Sequence, residues 1–281
     1  MKYGLHSLVY PNFLDGREEQ KFSYLKDLGY DYLELIPYDF DVDFKLLRTK
    51  ADDHGIKINL GWSLGPEHNL TSEDTKVRQQ GVDFLKKLID LSSILGSEVI
   101  SGLNYSGCGC LTGKPPTELE IHRSIDSYVE VIDYLGDSET LICLEPSTRE
   151  DSHMLNTARD ALEFISQIDS PKVKLCLDTY QMIREEASIE DVVLATKDDI
   201  GYIHASENHR GVIGKGLFNW EFFFYLLDMT GYDSIVTVES FFSSESPTAF
   251  RSKTWRSLAF SPEQVASESI SFLKSFPKIG V

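Results

Sequence analysis

Apolar positions along the chain follow two alternating periods. Short runs rich in β-branched and aromatic residues recur at 3–9, 32–36, 56–62, 98–103, 141–145, 173–178, 201–204 and 235–239. Runs of that length and composition read as strands. Stretches with helical spacing lie between them. Within 77–95, Val82, Leu85, Leu88, Ile89 and Leu95 share one apolar face, interrupted only by Ser92. Gly29, Gly55, Gly96, Gly136 and Gly231 sit where helices end, as left-handed C-caps would. Ser72 with Glu73 and Asp74, Thr117 with Glu118, and Pro262 with Glu263 read as helix starts. The pattern predicts eight strands, each followed by a helix, and eight such units in about 250 residues predict an α/β fold closed as a (β/α)8 TIM barrel. The competing open, doubly wound sheet usually carries a Gly-rich phosphate turn after an early strand, and none follows Val9 or Ile36. The expectation is a single barrel domain over 1–281, without linker or low-complexity tract.

Composition narrows the partners. The 281 residues include 45 Asp+Glu against 27 Lys+Arg, a formal net charge of −18. That balance repels phosphate backbones and anionic lipid, which argues against nucleic acid or a membrane as partner. Hydrophobic residues at 41% and charged residues at 26% suffice for a sizeable core. Four cysteines do not make a disulfide scaffold in a chain of this length. The opening MKYGLHSLVY lacks the pattern of a signal peptide, and no run of about 18 apolar residues occurs. A cytoplasmic setting is the expectation.

In such a barrel, side chains at the C-terminal ends of strands converge on one site. Four successive strand ends carry metal-type ligands: Glu145 in LICLEP, Asp178 in KLCLDT, His204 in GYIHAS and Glu239 in IVTVES. Their spacings of 33, 26 and 35 residues are each one β/α unit. Any one of them alone reads as a strand-end polar group bonded to a loop. Four at equivalent places read as a mostly oxygen site for one divalent ion, Mn²⁺, Mg²⁺ or Co²⁺, because buried carboxylates this close need a cation or protons to coexist. Zn²⁺ is not excluded by ligand type. Cys143 and Cys176, two residues before a ligand, face the barrel interior as packing beneath the site. Cys108 and Cys110, in SGCGC after the fourth strand, lie on the functional face.

At these residues the sequence resembles the D-tagatose 3-epimerase family of ketose 3-epimerases, within the xylose-isomerase-like barrels. The likeness runs through MKYG, LGYDYLEL, Gly65–Pro66 and RQQGVDFLKKLIDLSSILGSEVISG, and is strongest in LEPSTREDSHMLNTA, VKLCLDTYQM, IHASENHRGVIGKG and the VES ending at Ser240. The resemblance implies that Glu145, Asp178, His204 and Glu239 hold the metal, Mn²⁺ foremost, and that Glu145 and Glu239 are the catalytic carboxylates. It places a substrate-binding arginine at Arg210 and an acidic substrate contact at Asp151, where a glutamate is usual. It also implies a homodimer or homotetramer. Two positions depart from it: Gln181 stands where the family typically has histidine, and Cys108 where it has an aromatic, often tryptophan. Gln181 can donate to a sugar oxygen but cannot relay a proton, and Cys108 removes an apolar wall. Both fall where substrate identity is read.

The chemistry expected is inversion of the carbon next to a ketone through an enediolate, with Glu145 and Glu239 as base and acid. Asp178 and His204 hold the ion, Arg210 positions substrate oxygens, and Lys215 sits either on a covering loop or in solvent. An aldose–ketose, keto-acid or keto-cyclitol isomerase on the same site is the near alternative. A DNA-repair endonuclease wants more histidines and a cationic face, and a non-catalytic sugar-binding protein has little need of both glutamates. The run FNWEFFFYLL reads as barrel packing, with some surface available to a subunit contact. His6, Trp62 and His68 are candidates for the pocket wall, and TAFRSKTWRSLAF offers Trp255 or Arg256 to a sugar or subunit contact.

Overall fold

The computed structural model describes residues 1–246, 249–250 and 252–276. Eight parallel strands close into a ring in chain order: β1 (Lys2–His6), β2 (Tyr32–Leu35), β3 (Lys57–Gly61), β4 (Val99–Gly102), β5 (Leu141–Leu144), β6 (Val173–Asp178), β7 (Ile200–Ala205) and β8 (Ile235–Val238). Pairing of Leu5 with Val238 between β1 and β8 seals it. The outer helices are α1 (Glu18–Leu28), α2 (Phe44–Asp53), α3 (Thr75–Leu95), α4 (Glu118–Leu135), α5 (Ala158–Ile168), α6 (Thr179–Glu185), α7 (Ile189–Thr196), α8 (Trp220–Met229) and α9 (Pro262–Leu273). This is the expected (β/α)8 barrel.

The elements differ from the sequence pattern in detail. Residues 7–9 form a 3-10 turn rather than more strand, because the His6 imidazole accepts from the Leu8 N–H and bends the chain. Strand six is followed by two helices. The first, α6, starts at once, with Asp178 as its N-cap accepting from the Tyr180 N–H at 2.8 Å. Helix α3 is capped by Asp74, two residues after Ser72, while α4 opens on a capping box in which Thr117 and Glu120 satisfy each other's backbone donors. Gly29 and Gly96 are left-handed C-caps, whereas Gly136 has φ 53° and ψ −128°, outside that region. Ser92 interrupts no packing: its hydroxyl donates to the Ile89 carbonyl and lies 3.3 Å from Thr140 Oγ1.

Two features set the height of the site. The β6–β7 register shifts between Leu175 and Cys176, so that Ile200 and Tyr202 become successive partners and Asp178 faces His204. Gly201 is the extra residue, and a Cβ there would come within 2.7 Å of Cys143 Sγ and Lys174 Cβ. Below this level Cys143 and Cys176 pack with Tyr32, Val99, Tyr202 and Ile235 as a buried layer of their own. In the aromatic run, Phe218, Trp220, Phe223 and Phe224 are buried while Phe222 and Tyr225 face outward, the distribution of a packed helix.

Candidate active site

Glu145 and Glu239 are the first residues beyond β5 and β8, while Asp178 and His204 lie in β6 and β7. Strand alternation turns all four side chains into the barrel mouth, and all four are buried. Ligand atoms of Asp178, His204 and Glu239 lie within 4.8 Å of one another, as do those of Glu145, Cys176 and His204. The two groups share His204, whose Nδ1 is 3.3 Å from Glu145 Oε2. Burial pushes the Cys176 thiol up to about 12, so it stays protonated and is the weaker donor beside carboxylates. Burial likewise raises Asp178 to about 6, against the pull of Arg210, and raises Glu239. Carboxylates that resist ionisation in this way favour a cation among them.

His204 Nδ1 is buried and lies 3.3 Å from Glu145 Oε2 without forming a well-directed hydrogen bond. That bare nitrogen, with the carboxylates around it, is the donor set of a divalent ion that prefers oxygen with one imidazole, so the residues present fit a metal.

Other groups supply positive charge and hydrogen bonds to the same carboxylates. Arg210 Nη1 donates to Asp178 Oδ2 at 2.8 Å, to Ser206 Oγ at 2.8 Å and to Glu239 Oε2. Its guanidinium stacks over Tyr180, 3.9 Å from the ring centre. Gln181 donates from Nε2 to Glu145 Oε1 at 3.1 Å and accepts the Thr148 N–H at 2.9 Å, so both ends of its amide are engaged.

A cavity of about 620 Å³ opens above these residues. Of the substrate contacts expected from the sequence, Arg210, Asp151, Gln181 and Cys108 all line it, as do His6, Trp62, Trp255 and Arg256. Asp151 also faces Lys253, with 3.9 Å between Oδ1 and Nζ. His68 instead stacks on Phe84 at 4.5 Å, and Lys215 pairs with Glu268 at 3.5 Å, away from the cavity. Thr248 and Arg251 of the TAFRSKTWRSLAF stretch lie outside the described residues. Cys108 and Cys110 are unbridged and half-buried.

Sequence reasoning passed over Glu34, at the end of β2. It is fully buried and takes hydrogen bonds from His204 Nε2, at 2.9 Å to Oε2 and 3.1 Å to Oε1, and from the Ser101 hydroxyl. Burial works against its charge, yet His204, His6 and Ser101 hold it down at about 2. The signal was present: a glutamate between Leu33 and Leu35 in an apolar strand.

A closed barrel whose mouth gathers acidic groups around an imidazole defines a class of enzymes acting on small polar substrates. Residues 22–276 match the xylose isomerase-like TIM barrel family. The chain is 30% identical to a ketose 3-epimerase of Arthrobacter globiformis, covering 98% of this chain and 96% of that one. It is 29% identical to an L-ribulose 3-epimerase of Methylomonas sp. (strain DH-1), covering 98% and 97%. The solved D-allulose 3-epimerase from Methylomonas sp., in complex with D-allulose, superposes with a TM-score of 0.92 at 27% identity, covering 99% of this chain and 97% of that chain. The protein belongs to the xylose isomerase-like TIM barrel family, among its ketose 3-epimerases. It is an isomerase of the carbohydrate epimerase kind.

Proposed function

We propose that the protein inverts the carbon next to the ketone of a free ketose, with Glu145 and Glu239 exchanging the protons. The observation that carries this reading is two buried glutamates facing one cavity beside a shared imidazole. They sit three strands apart around the ring, so that a ketose held in the mouth is flanked by both. One carboxylate removes the proton from the carbon next to the carbonyl; the other returns one to the opposite face. Asp178, His204, Glu145 and Glu239 would hold a divalent ion, Mn²⁺ foremost, which when bound supplies the Lewis acidity that offsets developing enediolate charge. Gln181 fixes the orientation of Glu145 through its amide N–H, and Arg210 does the same for Glu239. Asp151, with Cys108 beside it at the rim, would meet the distal hydroxyls.

A cytoplasmic setting is part of the same proposal; no helix among the described residues is long and apolar enough to cross a membrane. Exposed Phe250, Trp255 and Phe260 offer apolar surface to a homodimer or homotetramer.

The test is turnover of a panel of free ketoses by Mn²⁺-loaded protein in D₂O. Epimerised product carrying deuterium at the inverted carbon is expected, and Glu145→Gln and Glu239→Gln should each abolish turnover while the circular dichroism spectrum persists. Aldose products would move the assignment to aldose–ketose isomerisation. Label-free product, or normal activity in either variant, would remove the two-carboxylate mechanism.

A further inference from the structure

We infer that Glu34 is a positioning residue: it holds the His204 ring so that Nε2 carries the proton and Nδ1 faces the carboxylates as a metal donor. The inference rests on the metal-dependent reading above and assigns a role to a residue outside the four ligands.

Four observations lead to it. A carboxylate is an acceptor only, so the imidazole nitrogen facing Glu34 must carry a hydrogen, and that nitrogen is Nε2. The other nitrogen, Nδ1, is buried, forms no well-directed hydrogen bond and points toward Glu145. One ring nitrogen bonded to a carboxylate and the other left bare is how proteins fix the tautomer of a metal-binding histidine. Glu34 is itself held in place. Ser101 donates to its Oε1, and His6, whose Nδ1 accepts the Leu8 N–H, turns Nε2 toward the same oxygen at 3.9 Å.

The neighbouring strand leaves room for this arrangement. Residue 61, at the end of β3, is glycine, and any Cβ there would collide with Glu34 Oε1. Strand register puts His6 beside Glu34 and Gly61 beside Ser101, so residues of β1 to β4 together build the cradle. The hydrogen bonds of Glu34 go to His204 and Ser101, and it falls in neither group of metal-type ligands at the mouth.

The experiment measures Mn²⁺ affinity by titration, together with the ¹H–¹⁵N imidazole resonances of the metal-free protein. Wild type should show a His204 Nε2–H resonance protected from solvent exchange. Glu34→Ala should lose that protection and weaken Mn²⁺ binding on the order of 100-fold, within the span seen for such partners. Glu34→Gln keeps the volume but presents an amide that can turn its NH₂ to the ring, and should cost about tenfold. A residue serving only packing would leave Glu34→Gln with wild-type affinity and an unchanged resonance, and that result overturns the inference. Should both variants fail to fold, Ser101→Ala removes one anchor of the carboxylate. A several-fold loss of affinity supports the inference and an unchanged value with an unchanged resonance overturns it. If wild type binds no divalent ion, the metal reading fails, while the imidazole resonance still decides whether Glu34 sets the ring.

Discussion

Gln181 shows how much a single side chain contributes here. It spans the Thr148 N–H and Glu145 Oε1, so its amide ties a loop to a carboxylate at the barrel mouth. Gln181→Met keeps the length but leaves the buried Thr148 donor without a partner, which costs about 1–3 kcal/mol. The variant should melt earlier and, with Glu145 no longer held, show a lower kcat on the ketose that wild type turns over. Unchanged melting and kcat would mean that the amide carries neither role. Residue identity was legible at Glu145, Asp178, His204 and Glu239 because each follows an apolar run at a regular spacing. Glu34 stood out as a charge in an apolar strand, but its role was not legible, because its partner His204 is 170 residues away and the two strands meet only across the closed ring.

At the scale of the element, helix α4 carries its own start signal. The Thr117 hydroxyl accepts the Glu120 N–H, the Glu120 carboxylate accepts the Thr117 N–H at 2.8 Å, and His153 Nε2 lies 3.1 Å from the same carboxyl group. Thr117→Ala should cost about 1 kcal/mol, read as a fall of roughly 2 °C in Tm. Burial works against the Glu120 charge, but Thr117 and His153 outweigh it and hold the carboxyl below its ordinary 4.5. The folded value therefore lies under the unfolded one. The stability it contributes is present in full above about pH 4.5 and is lost as pH falls through the lower folded value. A plot of Tm against pH should lose part of its acid-side slope in Glu120→Gln; a slope equal to wild type counts against the linkage. Capping pairs like this one are local and legible in sequence. The two-residue delay of α3, from Ser72 to Asp74, was not, since neighbouring Ser and Asp are equally good caps and packing chooses between them.

Across the whole molecule, the site joins strands that are distant in sequence. Glu145, Asp178, His204 and Glu239 come from β5 to β8, so a cation bound among them links half the ring. An ion that binds only the folded state adds about 2.7 kcal/mol at 100 times its Kd. Mn²⁺ at that level should raise Tm by roughly 5 °C or more, and EDTA should reverse the gain. A Tm indifferent to both would count against the shared site. The overall charge of −18 bears on this too: most of the carboxylates are solvated surface, and those at the mouth act through neighbours rather than through the total.

Sequence by itself determined the eight strand–helix units, their closure and the four ligand-type strand ends. Each of these rests on local periodicity and on the chemistry of single residues. Tertiary structure alone decided which nitrogen of His204 faces Glu34, that Arg210 donates to Asp178 and Glu239, and that Gln181 holds Glu145. The reason is geometric. A residue's place along a strand follows from a period of two, but its partners depend on register and ring closure. Here the shift at Gly201 that brings Asp178 opposite His204 leaves no mark in the hydrophobic pattern.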